Sequence, residues 1–134
     1  MLWLPQGEGR GVCHSLLYDA KTFRSHMLYE TSVLYAAIAS ELMLREACAR
    51  LLKTKGGLND RQCDLIVKMN IPQLFELMHE LEPNLPLKYD DVRKLFELRN
   101  KIAHGKRKSA THQQANEAIG TAEQLKRHLV PLLY

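Results

Sequence analysis

The chain has 134 residues and a net charge of +4, with 46% hydrophobic and 25% charged residues. This length and composition are typical of one globular domain, long enough to bury a core without cross-links from disulfides or a metal. No apolar run approaches the ~18 residues that span a bilayer, so we expect a cytoplasmic protein without a membrane partner.

The cysteines indicate the redox compartment of the protein, and the net charge indicates the kind of partner it binds. Cys13, Cys48 and Cys63 are odd in number and lack the spacing of metal ligands, which indicates reduced thiols in an intracellular protein. No H-E-x-x-H motif or paired-cysteine motif is present either, so we expect no metal and no cofactor. The excess of Lys and Arg favours an anionic partner.

Residues 1–18 do not follow the helical pattern of the rest of the chain. Gly7, Gly9 and Gly11 alternate with polar residues, but no strand precedes them and no Gly-Lys-Ser/Thr ending follows. We therefore predict an N-terminal arm over 1–18 and a helical domain over 19–134. Within the arm, 12–18 is compatible with a short extended segment or with the start of a helix.

The stretch 19–54 predicts one long helix, or two helices with a break near 29–32. It contains no proline, and its apolar residues follow a spacing of four and three. The small or apolar residues at this spacing are Val33, Ala37, Ser40, Leu44, Ala47 and Leu51. Because Leu34, Ile38 and Leu42 widen the apolar face, this helix should be central and could also reach a dimer interface.

Glu41 lies in the middle of that apolar sector, where a carboxylate needs a partner. One interpretation pairs it with Arg99, whose orientation it would then support. The other is a local pair with Arg45, four residues further along the same helix. The sequence leaves both open.

Besides the helix that contains 92–105, three helices should follow residue 54. Asn59 or Asp60 can cap a helix that runs to about residue 68, and Asn70 with Pro72 begins the next. We expect the second of these to face inward with Leu74, Phe75, Leu77, Met78 and Leu81. His79 beside them is interpreted as a packed or surface residue.

The last helix should be capped by Ser109 or Thr111. It carries apolar residues at heptad-like spacing, so it should pack on the central helix or serve dimerisation. These residues are Ala118, Ala122, Leu125, Leu129 and Leu132.

The stretch 92–108 carries the most informative pattern. It predicts a helix whose N-cap and acidic first turn come from Tyr89, Asp90 and Asp91. Gly105 should end this helix. Its apolar face consists of Val92, Leu95, Phe96, Ile102 and Ala103. Arg99 lies at the centre of that face, where a guanidinium must be paired or line a hydrated interface.

The neighbours of Arg99 favour an anionic ligand. Asn100 and His104 are four residues apart and can edge the same surface as Arg99. The segment thus offers a cation, an amide and a group that titrates near neutrality. Lys101, Lys106, Arg107 and Lys108 add positive charge next to it. We therefore expect a phosphate-containing ligand.

The run Arg99-Asn100-Lys101-Ile102-Ala103-His104 resembles the R-x4-H motif of HEPN domains, and its all-helical context extends the resemblance over about residues 27–134. The resemblance implies an all-α, HEPN-like bundle of about four to five helices. It also implies a metal-independent endoribonuclease that acts as a dimer, of a kind that recurs in toxin–antitoxin and antiphage systems. Gly105 and Lys106 follow His104, so the H-x-Y extension of one toxin subgroup is absent.

Under this resemblance Arg99, Asn100 and His104 are the catalytic residues, and the four further cations bind RNA. His104 would be general base or acid and Arg99 would bind the phosphate. Acid–base catalysis needs one proton removed and another donated, and a two-fold dimer supplies a second His104 for this, so the hypothesis predicts a homodimer with two motifs in one cleft. A cognate antitoxin or defence-system protein is a further expected partner.

Two other interpretations remain open. The motif could be structural, with cations near a helix C-terminus complementing the macrodipole and Arg99 stapling the bundle. Alternatively, the chain is a non-catalytic HEPN-like module that binds RNA, a nucleotide or a protein partner.

Overall fold

The computed structural model describes residues 8–66, 68–105 and 109–133, with side chains for 11–66, 68–105 and 109–132. Over these ranges every regular element is helical, which confirms the all-α class. The elements are α1 (Glu8–Ser25), α2 (Tyr29–Thr54), α3 (Asp60–Ile66), α4 (Ile71–Leu81), α5 (Tyr89–Ala103), α6 (His112–Leu129) and a 3₁₀ turn (Val130–Leu133). The described chain thus has six α-helices, more than the four to five predicted.

Part of the predicted N-terminal arm is helical and belongs to α1. Residues 8–18, assigned to that arm, are its first eleven residues. Cys13, Leu17 and Ala20 are buried at helical spacing and pack against α2. The alternating glycines obscured this pattern, since glycine lowers helix propensity, but tertiary burial of the apolar side outweighs it.

The break between α1 and α2 lies at residues 26–28, slightly before the predicted position. The Leu28 N–H donates to the Phe23 carbonyl at 2.8 Å, and Met27 takes a left-handed conformation with φ of 62°. This is the geometry of a helix C-terminal cap in which glycine is usual. The turn reverses the chain, so that α1 packs along α2.

Helix α2 is central, as predicted, because α1, α4, α5 and α6 all pack on it. Its buried residues are mostly small or apolar and occupy most of its circumference. Ile38, on the apolar face expected from the sequence, is 42% exposed. Within the described ranges no helix combines the length and apolarity that crossing a bilayer requires.

The caps of α3 and α4 are the predicted ones. The Asn59 Oδ1 accepts from the Gln62 N–H at 2.9 Å, and the Asn70 Oδ1 accepts from the Gln73 N–H at 3.0 Å. Leu74, Phe75 and Met78 are buried, whereas Leu77 and Leu81 are half-buried. His79 stacks on the Phe75 ring at 4.5 Å between centroids, as a packed residue.

Helix α5 differs from the prediction at its start. Its N-cap residue is Lys88, without a side-chain cap, and Tyr89, Asp90 and Asp91 already belong to the first turn. The two aspartates complement the macrodipole from there, so the helix begins one residue early. Val92, Leu95 and Phe96 are buried as expected.

Helix α6 begins and packs as predicted. Thr111 is its N-cap and exchanges hydrogen bonds with Gln114 in a capping box. Ala118, Ala122, Leu125 and Leu129 are buried, and the helix packs extensively on α2. Both helices begin at the same end of the bundle, since the Glu30 Oε1 accepts from the Ala110 N–H at 3.0 Å. Leu132 lies beyond α6, in the 3₁₀ turn.

Candidate functional site

The residues singled out by the sequence lie at the C-terminal end of α5. His104 is the C-cap, and its N–H donates to the Asn100 carbonyl at 3.0 Å. Gly105 has a φ of 70° and its N–H donates to the Ile102 carbonyl at 3.1 Å. The predicted helix stop is therefore confirmed, and it fixes where the backbone of His104 lies.

Arg99 is half-buried at the edge of the core. Its guanidinium carbon lies 5.2 Å from the centroid of the buried Phe96 ring, a cation–π distance. Its Nε donates to the Asn100 Oδ1 at 2.9 Å. The ring and the amide together hold the guanidinium at the edge of α5, although its position on the helix lies among the apolar residues.

The contact with Arg99 also orients the Asn100 amide. A guanidinium only donates hydrogen bonds, so the amide atom facing it must be the oxygen. The Asn100 NH₂ group is therefore directed away from Arg99 and can donate to an anion. Arg99 and Asn100 form a pair of donors without a carboxylate between them.

The remaining predicted residues are less closely joined. Lys101 and His104 are exposed, and within the described ranges no hydrogen bond or ion pair connects either side chain to Arg99. Lys106, Arg107 and Lys108 lie outside the described residues. The structure thus brings Arg99 and Asn100 into direct contact, with His104 exposed one turn beyond Asn100.

Glu41 does not pair with Arg99. Its Oε1 accepts from the Arg45 Nη2 at 3.3 Å, while the Arg45 Nη1 donates to the Met69 carbonyl at 2.8 Å. The local pair is the alternative that the structure supports, and the supporting role for Glu41 toward Arg99 was wrong. An i,i+4 pair forms on a single helix, whereas a pair with Arg99 needs two helices to meet at matching positions.

The cysteines are buried and poorly suited to nucleophilic chemistry. Burial raises the pKa of the Cys13 thiol to about 12, with the nearby Glu46 carboxylate adding to the effect. Burial likewise raises the pKa of Cys48 to about 12 and raises that of Cys63. In the part of the chain that the structure describes, no group of three His, Cys, Asp or Glu side chains converges.

A polar network that was not predicted from the sequence lies at the start of α6. The Arg24 Nη1 lies 2.9 Å from the Asn116 Oδ1, and the Asn116 Nδ2 lies 3.2 Å from the His112 Nδ1. The edge of one ring faces the other for His112 and Tyr29, with centroids 5.5 Å apart. We call Arg24, Tyr29, His112 and Asn116 the α6 network. The i,i+4 spacing of His112 and Asn116 signalled half of it, but nothing local pointed to Arg24 or Tyr29.

Two further features were also missed. An open groove of about 610 Å³ lies between α5 and α6, and Arg99 and His104 do not line it. Its polar lining includes Lys88, Lys94 and Glu117.

In the core, Glu46 is only 6% exposed and its Oε1 lacks a hydrogen-bond partner. Burial raises the pKa of that carboxyl.

Comparison with known proteins finds no match among protein-family models, curated proteins or solved structures. The resemblance to HEPN domains therefore rests on the six residues of the motif and their helical context.

Proposed function

We propose that the protein is a metal-independent endoribonuclease of HEPN type whose site is built on Arg99, Asn100 and His104. The observation that carries the proposal is the arrangement at the end of α5. The Arg99 guanidinium rests on Phe96 and bonds to the Asn100 oxygen, which directs the amide NH₂ outward, and the exposed His104 follows one turn later. Two adjacent donors beside an imidazole suit a phosphodiester.

The proposed reaction is an internal transesterification. The 2′-oxygen of one nucleotide attacks the adjacent phosphorus, and the bond from phosphorus to the 5′-oxygen breaks. The products are a 2′,3′-cyclic phosphate and a 5′-hydroxyl. One proton leaves the 2′-hydroxyl and another reaches the departing 5′-oxygen, so the reaction needs a base and an acid.

The residues divide these tasks. His104 moves a proton at its exposed ring, as base or as acid. Arg99 binds the phosphate and stabilises the negative charge that develops on its oxygens. Asn100 donates to a phosphate oxygen through its NH₂ group. Lys101, with Lys106, Arg107 and Lys108, holds the flanking backbone, which gives salt-dependent binding with little base preference.

The reaction also defines the assembly that we propose. A homodimer supplies a second His104, so that one histidine accepts a proton while the other donates one. We further propose a cytoplasmic toxin or antiphage effector, controlled by a cognate antitoxin or another defence-system protein.

The second candidate is a non-catalytic HEPN-like module that binds RNA, a nucleotide or a protein partner through the same residues. The observation in favour of this alternative is that no hydrogen bond orients the His104 ring in the described part of the chain. The two candidates differ in what His104 contributes. A nuclease loses turnover without it, whereas a binding module loses affinity mainly with Arg99.

The test is cleavage of tRNA and mixed RNA in EDTA by wild type, His104→Ala and Arg99→Gln, with the product ends determined. Two variants serve as matched controls. Arg93→Gln removes an arginine of the same helix that pairs with Glu97 at 2.9 Å, and His128→Ala removes a half-buried histidine of α6.

We expect wild type and both controls to produce cyclic-phosphate ends and the two site variants to produce none. Equal cleavage by all five proteins would trace the activity to a contaminant and contradict the proposal. Tight RNA binding without cleavage, lost in Arg99→Gln and kept in His104→Ala, would establish the binding module instead.

A further inference from the structure

The α6 network holds one exposed histidine in place. His112 is the first residue of α6, and the capping box of Thr111 and Gln114 sets the backbone there. The Asn116 Nδ2 lies 3.2 Å from its Nδ1, and Tyr29 contacts the ring edge-on. Although the His112 side chain is exposed, its ring is therefore restrained from two sides.

Arg24 determines which nitrogen of His112 carries the proton. Its Nη1 can only donate, so the Asn116 atom 2.9 Å away must be the amide oxygen. The Asn116 NH₂ group then faces the His112 Nδ1, which has to accept. The neutral ring consequently carries its proton on Nε2. Side chains of α1 and α6 thus combine to present one N–H donor.

The surroundings of this donor favour a negatively charged acceptor. Arg24 uses one of its five N–H groups on Asn116, and the guanidinium charge remains. The nearby Glu30 carboxylate accepts from the Ala110 N–H, which fixes its place and leaves its charge. In the described ranges no acceptor bonds to the His112 Nε2. A phosphodiester oxygen matches an N–H donor next to a cation.

We propose that His112 is a second RNA-contacting residue, whose Nε2–H donates to a phosphodiester oxygen of the strand bound at Arg99. Asn116 and Arg24 are its positioning residues. The inference rests on the proposed function, because it extends the same RNA surface. Arg99 lies in the last turns of α5, which packs against α6, and His112 is the first residue of α6.

The first test measures the tautomer by NMR of ¹⁵N-labelled protein. In wild type at neutral pH we expect a proton on the His112 Nε2 and none on Nδ1. Asn116→Asp replaces the donating NH₂ group with a second acceptor, so Nδ1 should then carry a proton. A wild-type ring protonated on Nδ1 alone, or a tautomer unchanged in Asn116→Asp, would overturn the positioning role.

The second test measures the affinity for a fluorescent single-stranded RNA by anisotropy. His112→Ala should weaken binding about three- to tenfold, the usual effect of one hydrogen bond. Because the proposed contact is one hydrogen bond and not an ion pair, the slope of log affinity against log salt should stay unchanged, whereas Arg99→Gln should reduce it by about one. His128→Ala, at the other end of α6, should bind like wild type.

The outcomes separate this inference from the proposed function. If Arg99→Gln weakens binding and His112→Ala stays within about twofold of wild type, the inference falls and the proposed function stands. If wild type neither binds nor cleaves RNA, both fall. His112→Gln keeps a side-chain N–H donor and should retain more affinity than His112→Ala; equal losses in the two variants would also overturn the role of the donor.

Discussion

Arg99 and Asn100 are adjacent in sequence and bonded to one another, with the arginine Nε 2.9 Å from the amide oxygen. This contact leaves the amide nitrogen as the outward group of Asn100. The two functions of Asn100 can therefore be tested separately, because Asn100→Asp keeps the acceptor for Arg99 and loses the outward donor.

We therefore expect Asn100→Asp to weaken RNA binding at least tenfold while the free energy of unfolding stays within about 0.5 kcal/mol of wild type. The new carboxylate still accepts from Arg99, but it repels phosphate and cannot donate. Binding is measured by anisotropy and stability by urea unfolding. Asn84→Asp, the same change at an exposed loop residue, is the matched control and should leave binding unaltered. Equal effects at positions 84 and 100 would contradict a role for the outward amide.

The Glu41–Arg45 pair predicts unequal costs for its two members. Glu41→Gln should cost about 0.5 kcal/mol or less, as for other i,i+4 pairs. Arg45→Ala should cost about 1–3 kcal/mol, because the Met69 carbonyl loses its donor. Both variants should bind RNA like wild type. Loss of RNA binding in Glu41→Gln would restore the rejected link from Glu41 to Arg99.

Glu46 predicts a pH dependence of stability. Its folded-state pKa is raised by burial above the ordinary value of 4.5, so the native state binds more protons than the unfolded state above that pH. The stabilising effect of its proton is fully present below pH 4.5 and is lost as the pH rises through the folded-state pKa.

Glu46→Gln should remove this dependence. The variant should be more stable than wild type at pH 8, and the gain should shrink steadily toward pH 4.5. Urea unfolding at several pH values measures the difference, with exposed Glu76→Gln as the control. A stability difference that is constant with pH would show that Glu46 is charged in the folded state.

Substitution by alanine should change the stability in opposite directions at two glycines. At Gly120, within α6, an added Cβ meets nothing within 4 Å, so Gly120→Ala should stabilise by about 1 kcal/mol through helix propensity. At Gly105 the backbone has a φ of 70°, so Gly105→Ala should destabilise by about 1 kcal/mol. Thermal unfolding of the two variants measures both effects. Stabilisation by Gly105→Ala would mean that α5 does not end in the left-handed cap.

The sequence by itself determined the features that depend on residues a few positions apart. Asn59, Asn70 and Thr111 cap their helices because each side chain reaches a backbone N–H three residues later. Gly105 ends α5 because glycine tolerates a positive φ. The apolar face of α6 follows from the helical spacing of its apolar residues. Because such local patterns recur along the chain, the all-α class and most helix positions were predictable.

Only the tertiary structure decided which groups meet across helices. The burial of Glu46 and the contact of Arg24 with Asn116 depend on how α1, α2 and α6 lie against one another. Residues 8–18 are helical for the same reason: burying Cys13 and Leu17 against α2 stabilises a segment whose glycines disfavour a helix. Local spacing cannot encode such contacts, because their free energy comes from surfaces that meet only in the folded chain.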